Sequence, residues 1–332
     1  MDRREFGKLS AGAALASAWR VAAAQSADGE KEVRFSFMLW ALEKQAPFER
    51  CVEWVAEAGY QGVELVGEFQ KWSAAERSAT MARMRRLGMA FDAMSGVKAG
   101  FAVPEQTEAF RTQFTEHLQA ATELECPQVI LLSGQRVDGL ADGMQRQTSI
   151  DNLKWAADAA AKKQIDIVIE PIDLLENPTI YLASVTDGFE IAKAVNSPHL
   201  KVLYDFYHEQ RSFGNLIEKL ETNIDWVGLV HVADVPGRHQ PGTGEVDYGS
   251  IYRKLGELKY SRWIAMEYYP TEDPVTTLKK SRLDAQRSLS QGAGRVDAPS
   301  TQAASKGIDL FSGKDQTLDL HVRCQRDYIY HA

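Results

Sequence analysis

From Val33 onward, short apolar runs alternate with stretches whose apolar residues recur every three or four positions. Residues 33–38, 62–66, 90–94, 129–133, 165–172, 202–207, 227–232 and 263–268 are rich in β-branched and aromatic side chains. Runs of that kind predict strands buried on both faces, as in a parallel sheet. Between the first two, Phe48, Cys51, Val52 and Val55 fall on one helix face, and Gly59 closes that helix. Similar helices are expected over residues 110–124, 150–163, 185–195, 216–223, 251–258 and 274–289. Eight strand–helix units in about 255 residues predict an α/β fold of the closed (β/α)₈ TIM barrel type. An open doubly wound sheet is the alternative, but it usually carries a glycine-rich phosphate loop after an early strand. Neither GxGxxG nor GxxxxGK[ST] occurs.

The two ends of the chain break this rhythm. Residues 1–30 carry Arg3-Arg4, then Phe6 and Lys8, an apolar stretch over 9–19 and Ala22-Ala23-Ala24. A basic start, a short apolar core and an A-x-A site predict a cleavable N-terminal export signal of the twin-arginine type, with a periplasmic or otherwise exported destination. No run of about 18 apolar residues follows, so no membrane partner is expected once the signal is removed. Residues 291–306 have the Ser, Ala, Gly and Gln content of a linker, and 307–332 are too few to bury a core of their own. The expected organisation is a signal over 1–30, a catalytic barrel over 31–290, and a linker with a short C-terminal tail over 291–332.

Composition narrows the partners. With 44% hydrophobic and 25% charged residues, the 332-residue chain can bury a substantial core. A net charge of −8 argues against nucleic acid held through its phosphates. The three cysteines are odd in number and form no CxxC pair, which excludes a disulfide framework and a zinc cluster; Cys51, on its apolar helix face, reads as core.

In a barrel of this kind chemistry sits at the C-terminal ends of the strands. Four polar residues stand there directly after apolar runs: Glu170, Asp205, His231 and Glu267, spaced by 35, 26 and 36 residues. Each interval is about one βα unit, so consecutive strands bring one polar group apiece to a common point. Three buried carboxylates need compensating charge, and a single divalent cation supplies it most simply. Three oxygen donors and one imidazole suit Mn, Mg or Co. His208 stands where the sixth strand opens into its loop, and the Gly- and Pro-punctuated segment after His231 offers Arg238 and His239 to a substrate. His117 and His199, on a helix and a turn, read as structural.

The segments Tyr204-Asp205-Phe206-Tyr207-His208, Pro236-Gly237-Arg238-His239 running on to Tyr248, and Glu267-Tyr268-Tyr269-Pro270 resemble signatures of the xylose-isomerase-like barrel superfamily, and within it the hydroxypyruvate isomerases. The resemblance implies that Glu170 and Glu267 exchange a proton with the substrate. Two features depart from that group. His231 stands where hydroxypyruvate isomerases tend to carry Gln, and it matches the metal-binding His of ketose 3-epimerases. Glu170-Pro171-Ile172 with Glu176 six residues on is also similar to the epimerases, in which the second Glu contacts the sugar. The expectation is a metal-dependent isomerase or epimerase acting through an enediolate on a small sugar or hydroxy-keto acid, with Glu176, His208, Arg238 and His239 on the substrate. A homo-oligomer is compatible with it. The rival readings are a keto-cyclitol dehydratase-like lyase and a sugar-binding barrel without turnover. A trinuclear-zinc phosphodiesterase would need histidines on the second and third strands, where Glu64 and Asp92 stand instead.

Overall fold

The computed structural model describes residues 32–296 apart from Asp142, so the expected N-terminal signal and all but the first residues of the expected linker and tail lie outside the described residues. Eight parallel strands close into a barrel: β1 (Arg34–Met38), β2 (Gly62–Val66), β3 (Ala90–Ser95), β4 (Gln128–Leu131), β5 (Asp166–Ile169), β6 (Leu200–Asp205), β7 (Val227–Val232) and β8 (Trp263–Met266). Closure is made by β1, which pairs with β2 on one side and β8 on the other. The helices are α1 (Phe48–Glu57), α2 (Ala74–Leu87), α3 (Thr107–Glu123), α4 (Met144–Ala161), α5 (Val185–Val195), α6 (Phe206–Ser212), α7 (Leu216–Asn223), α8 (Tyr248–Glu257) and α9 (Pro274–Val296). Among the described residues no helix is long and apolar enough to cross a membrane.

Several elements differ from the sequence expectation, and for β5, β6 and α2 the reason is local. β5 stops at Ile169, before Pro171, which has no amide proton to continue a ladder. β6 stops at Asp205, whose side chain accepts from the amides of Tyr207 (2.7 Å) and His208 (3.2 Å) and so starts α6 where extended chain was expected. α2 went unpredicted because it buries only Met81 and Met84 and shows no apolar stripe. Its ends were nevertheless written in the chain: Ser73 and Glu76 form a capping box, and Gly88 closes the helix with φ of 67°. α9 runs on to Val296, past Gln291, where linker composition begins.

Strand alternation sorts the side chains into two layers. On β5, Ile167 and Ile169 face outward into the large core beneath the helices, whereas Val168 faces into the barrel. The same holds for Val202 and Tyr204 against Leu203, and for Ile264 and Met266 against Trp263 and Ala265. Phe37 belongs to the outer core, edge-on to Tyr60 and Tyr268, and Cys51 is fully buried there. Inside, Ala93, Ile130, Val168, Leu203, Leu229, Trp263 and Ala265 fill the lower barrel. The large Trp263 ring fits because β2 begins with a glycine; a Cβ at Gly62 would stand 2.9 Å from the indole. One more alternation step along β5–β8 places Glu170, Asp205, His231 and Glu267 on the inner face at the open end.

Candidate active site

Glu170, Asp205, His231 and Glu267 converge so closely that one ligand atom from each lies within 4.8 Å of all the others. All four are buried, from fully enclosed His231 to Glu170 at 8% exposure. His231 stands at the centre: Nδ1 is 2.9 Å from Glu267 and 3.9 Å from Glu170. Its other ring nitrogen, Nε2, is 3.0 Å from Glu64 on β2. His231 donates from Nε2 to Glu64 and from Nδ1 to Glu267; loss of the Nδ1 proton would leave its lone pair aimed at the four-donor cluster while Glu64 keeps the ring in place, the orientation a metal-ligating imidazole requires. Asp205 uses Oδ1 on the α6 amides and turns Oδ2 toward His208 (3.5 Å) and Arg238 (4.0 Å).

Charge balance shows what the cluster demands. Burial raises Glu170 to about 8, with Glu267 adding repulsion and His231 opposing it. Glu267 is equally buried, yet Arg238 and His231 hold it well below the usual carboxylate range. Burial works against a charge on His231 as well, but Glu64 and Glu267 pull its value far upward. Every group thus calls for positive charge at one point. A donor set of three carboxylates and one imidazole, oriented from behind by Glu64, fits a divalent cation.

Around the cluster runs a cleft of about 640 Å³ that reaches Glu176, His208 and Arg238. Arg238 bridges two acids, donating through one terminal nitrogen to both oxygens of Glu176 (2.9 Å) and through the other to Glu267 (2.6 Å). Its guanidinium lies between the rings of Trp40 (5.2 Å) and Tyr207 (4.9 Å). His208 donates to Asp173 at 2.7 Å; burial opposes its charge, but Asp205 and Asp173 hold its value at about 9. His239 lies elsewhere: its Nδ1 meets the Tyr269 carbonyl at 2.9 Å, and the ring is not part of the cleft wall.

The loop that carries Arg238 is fixed from below by one buried carboxylate. Asp234 accepts from the backbone amides of Val235, Gly242, Thr243, Gly244 and Val246 at 2.8–3.1 Å. A Cβ at Gly244 would collide with the Val235 carbonyl and the Asp234 side chain, so the close approach requires glycine. Arg238 itself holds a left-handed φ of 56°, a strained conformation for a long side chain.

Sequence reasoning passed over Glu64 and Asp173 as working residues. Glu64 was legible as a charged residue in the middle of the apolar run Gly62–Val66, where only an inward partner could satisfy it. Trp40 lines the cleft and donates to Glu267 at 3.0 Å.

The sequence profile of the xylose isomerase-like TIM barrel family matches residues 52–288. The chain belongs to that family. It is 31% identical to the 2-oxo-tetronate isomerase of Pectobacterium atrosepticum, over 72% of this chain and 94% of that one. It is 28% identical to the hydroxypyruvate isomerase of Escherichia coli, again over 72% and 94%. Kinship with such relatives makes it an isomerase-type enzyme. Among solved structures, an AP endonuclease of family 2 from Brucella melitensis superposes with a TM-score of 0.69 at 25% identity, covering 74% of this chain and 96% of that one.

Proposed function

We propose that this barrel is a metal-dependent isomerase or epimerase that moves a proton between carbons of a small sugar or hydroxy-keto acid through an enediolate. The observation carrying this reading is the convergence of four strand-end donors, two of them glutamates on separate strands, within 4.8 Å. Glu170, Asp205, His231 and Glu267 would hold a divalent cation, which would supply Lewis-acid polarisation of the substrate's oxygens. Mn, Mg and Co match the donors best. The protein's own groups do the rest. Glu170 and Glu267, on β5 and β8, flank a substrate from two sides, so one removes a proton and the other returns it. With the cation bound, both glutamates would stand ionised, and Arg238, 2.6 Å from Glu267, would set that carboxylate apart from Glu170. His208 and Arg238 present N–H donors toward substrate oxygens, and Glu176 at the cleft mouth accepts from a hydroxyl.

Incubation of metal-loaded protein with hydroxypyruvate, ketoses and inososes in deuterated water tests the proposal. Deuterium at the carbon beside the carbonyl, with isomerised product, is the expected result. Loss of water from an inosose would instead establish the lyase reading. Binding without exchange into any of these compounds would reduce the protein to a sugar-binding barrel.

A further inference from the structure

Glu170 and Glu267 are held very differently. Among the described residues no hydrogen bond reaches the Glu170 carboxylate, which has His231 Nδ1 at 3.9 Å. The Glu267 carboxylate is gripped on both oxygens. Oε2 accepts from His231 Nδ1 at 2.9 Å, while Oε1 accepts from Arg238 at 2.6 Å and from the indole N–H of Trp40 at 3.0 Å. Arg238 alone would be a poor anchor for Oε1, because its long side chain is shared with Glu176, which is 42% exposed at the mouth of the cleft. Trp40 is the fixed partner.

The fold aims that indole. Trp40 sits in the short 3₁₀ turn Leu39–Ala41 directly after β1. Leu39 and Ala41 are buried in the outer core and pin the turn, while Trp40 between them stays half-buried and lines the cleft. Its ring packs edge-on against Tyr269 (5.1 Å) and beneath the Arg238 guanidinium (5.2 Å), so the plane of the indole is set from two sides. Held in that plane, the N–H points to Glu267 Oε1. The sulfur of Met38 lies against the same N–H, but a thioether is a weak acceptor beside a carboxylate.

We propose that Trp40 is the positioning residue of Glu267: its N–H commits Oε1 to the rim of the cleft and leaves Oε2 for the four-donor cluster. It acts through the carboxylate and not on the reacting atoms. The inference rests on the reading of Glu267 as a cation ligand and is independent of which substrate the site takes. Hydrogen-bond partners that orient a metal ligand from behind are worth about 10–100-fold in metal affinity.

Competition with a chelating dye for Mn, on the purified protein and two variants, tests this. Trp40→Phe keeps a ring for Arg238 and Tyr269 and removes the donor. Trp40→Gln discards the ring and keeps an N–H donor of similar reach. Positioning by the N–H predicts that Trp40→Phe weakens Mn binding by about 10–100-fold and that Trp40→Gln recovers most of the loss. Thermal unfolding of the metal-free proteins should rank the two the other way, with Trp40→Phe the more stable. A packing role alone would give the same order in both measurements. Unchanged Mn affinity in Trp40→Phe, or affinity in Trp40→Gln no better than in Trp40→Phe, would overturn the proposal while the metal shell stands. Failure of the unaltered protein to bind Mn would overturn the shell itself, and the role of Trp40 with it.

Discussion

At the open end of the barrel β5–β8 and the residues just after them bring Glu170, Asp205, His231 and Glu267 into one cluster, while Met38, Val66, Ser95 and Leu132, at or just past the ends of β1–β4, line the adjoining cleft. Lower in the barrel the halves are alike, with Ala93 and Ile130 on one side and Val168, Leu203 and Leu229 on the other. The divergence therefore begins only where packing stops constraining the inward positions. There the charged half concentrates groups that oppose folding unless paired, and the apolar half leaves side chains that folding alone does not bury. Neither choice improves the barrel as a barrel. The charged half makes sense as the reacting end of a site.

The largest expected effect is on the charged half. Glu170→Gln and Glu267→Gln keep the size of each side chain and remove its basicity. Each should lower kcat for proton transfer by about 10²–10⁴-fold. A decrease of only a few-fold in both variants, with metal retained, would move the chemistry to another group and erase the proposed difference between the halves.

The next effect concerns a carboxyl buried on the apolar side. Asp92 on β3 is fully enclosed, hydrogen-bonded by Ser36, and its pKa is raised to about 8, chiefly by burial. The unfolded chain releases this proton near pH 4, whereas the folded chain holds it to about 8. Stability must therefore fall as pH rises between those values and level off above them. Asp92→Asn removes that penalty. Urea unfolding should show the variant gaining on the parent between pH 5 and pH 9 by on the order of 2–4 kcal/mol. An unchanged difference across that range would show that Asp92 is ionised in the folded protein.

Glu64 couples the two halves, since it stands on β2 and meets His231 on β7 at 3.0 Å. Glu64→Gln should weaken metal binding by about 10–100-fold, read by competition with a chelating dye. Unaltered affinity would mean that His231 is oriented by its own strand alone. The smallest effect lies outside the site. Ser73→Ala removes half of the α2 capping box and should cost about 1 kcal/mol of stability in thermal unfolding, with metal content unchanged. A loss of metal would show that α2 supports the site from a distance.

The strand pattern was legible because a parallel barrel buries both faces of its strands, and β2 and β7 were delimited to the residue. The four converging donors were legible for a related reason: a charged residue straight after an apolar run has few places to go but the open end. α2 was harder, because a helix with two buried methionines has no periodic stripe, and only its capping box and Gly88 announce it. The start of α6 at Phe206 was hidden because Phe206 and Tyr207 extend the apolar run of β6; the Asp205 side chain, by bonding the next amides, ends the strand. Contacts such as Glu64 with His231, 167 residues apart, and Trp40 with Glu267, 227 apart, depend on ring closure and leave no mark in local pattern. His239 shows the converse, a motif residue beside Arg238 that points to the Tyr269 carbonyl instead of the cleft.

Metal content of the purified protein and of its Asp205→Asn and His231→Ala variants bears most directly on the charged half. The parent should hold one divalent ion per chain after dialysis against trace metal. Each variant should lose most of it under the same conditions, because removing a ligand opens the shell and strips His231 or Asp205 from the 4.8 Å cluster. Stoichiometric metal in both variants, with the fold intact by circular dichroism, would contradict the shell and the proton-transfer chemistry built on it.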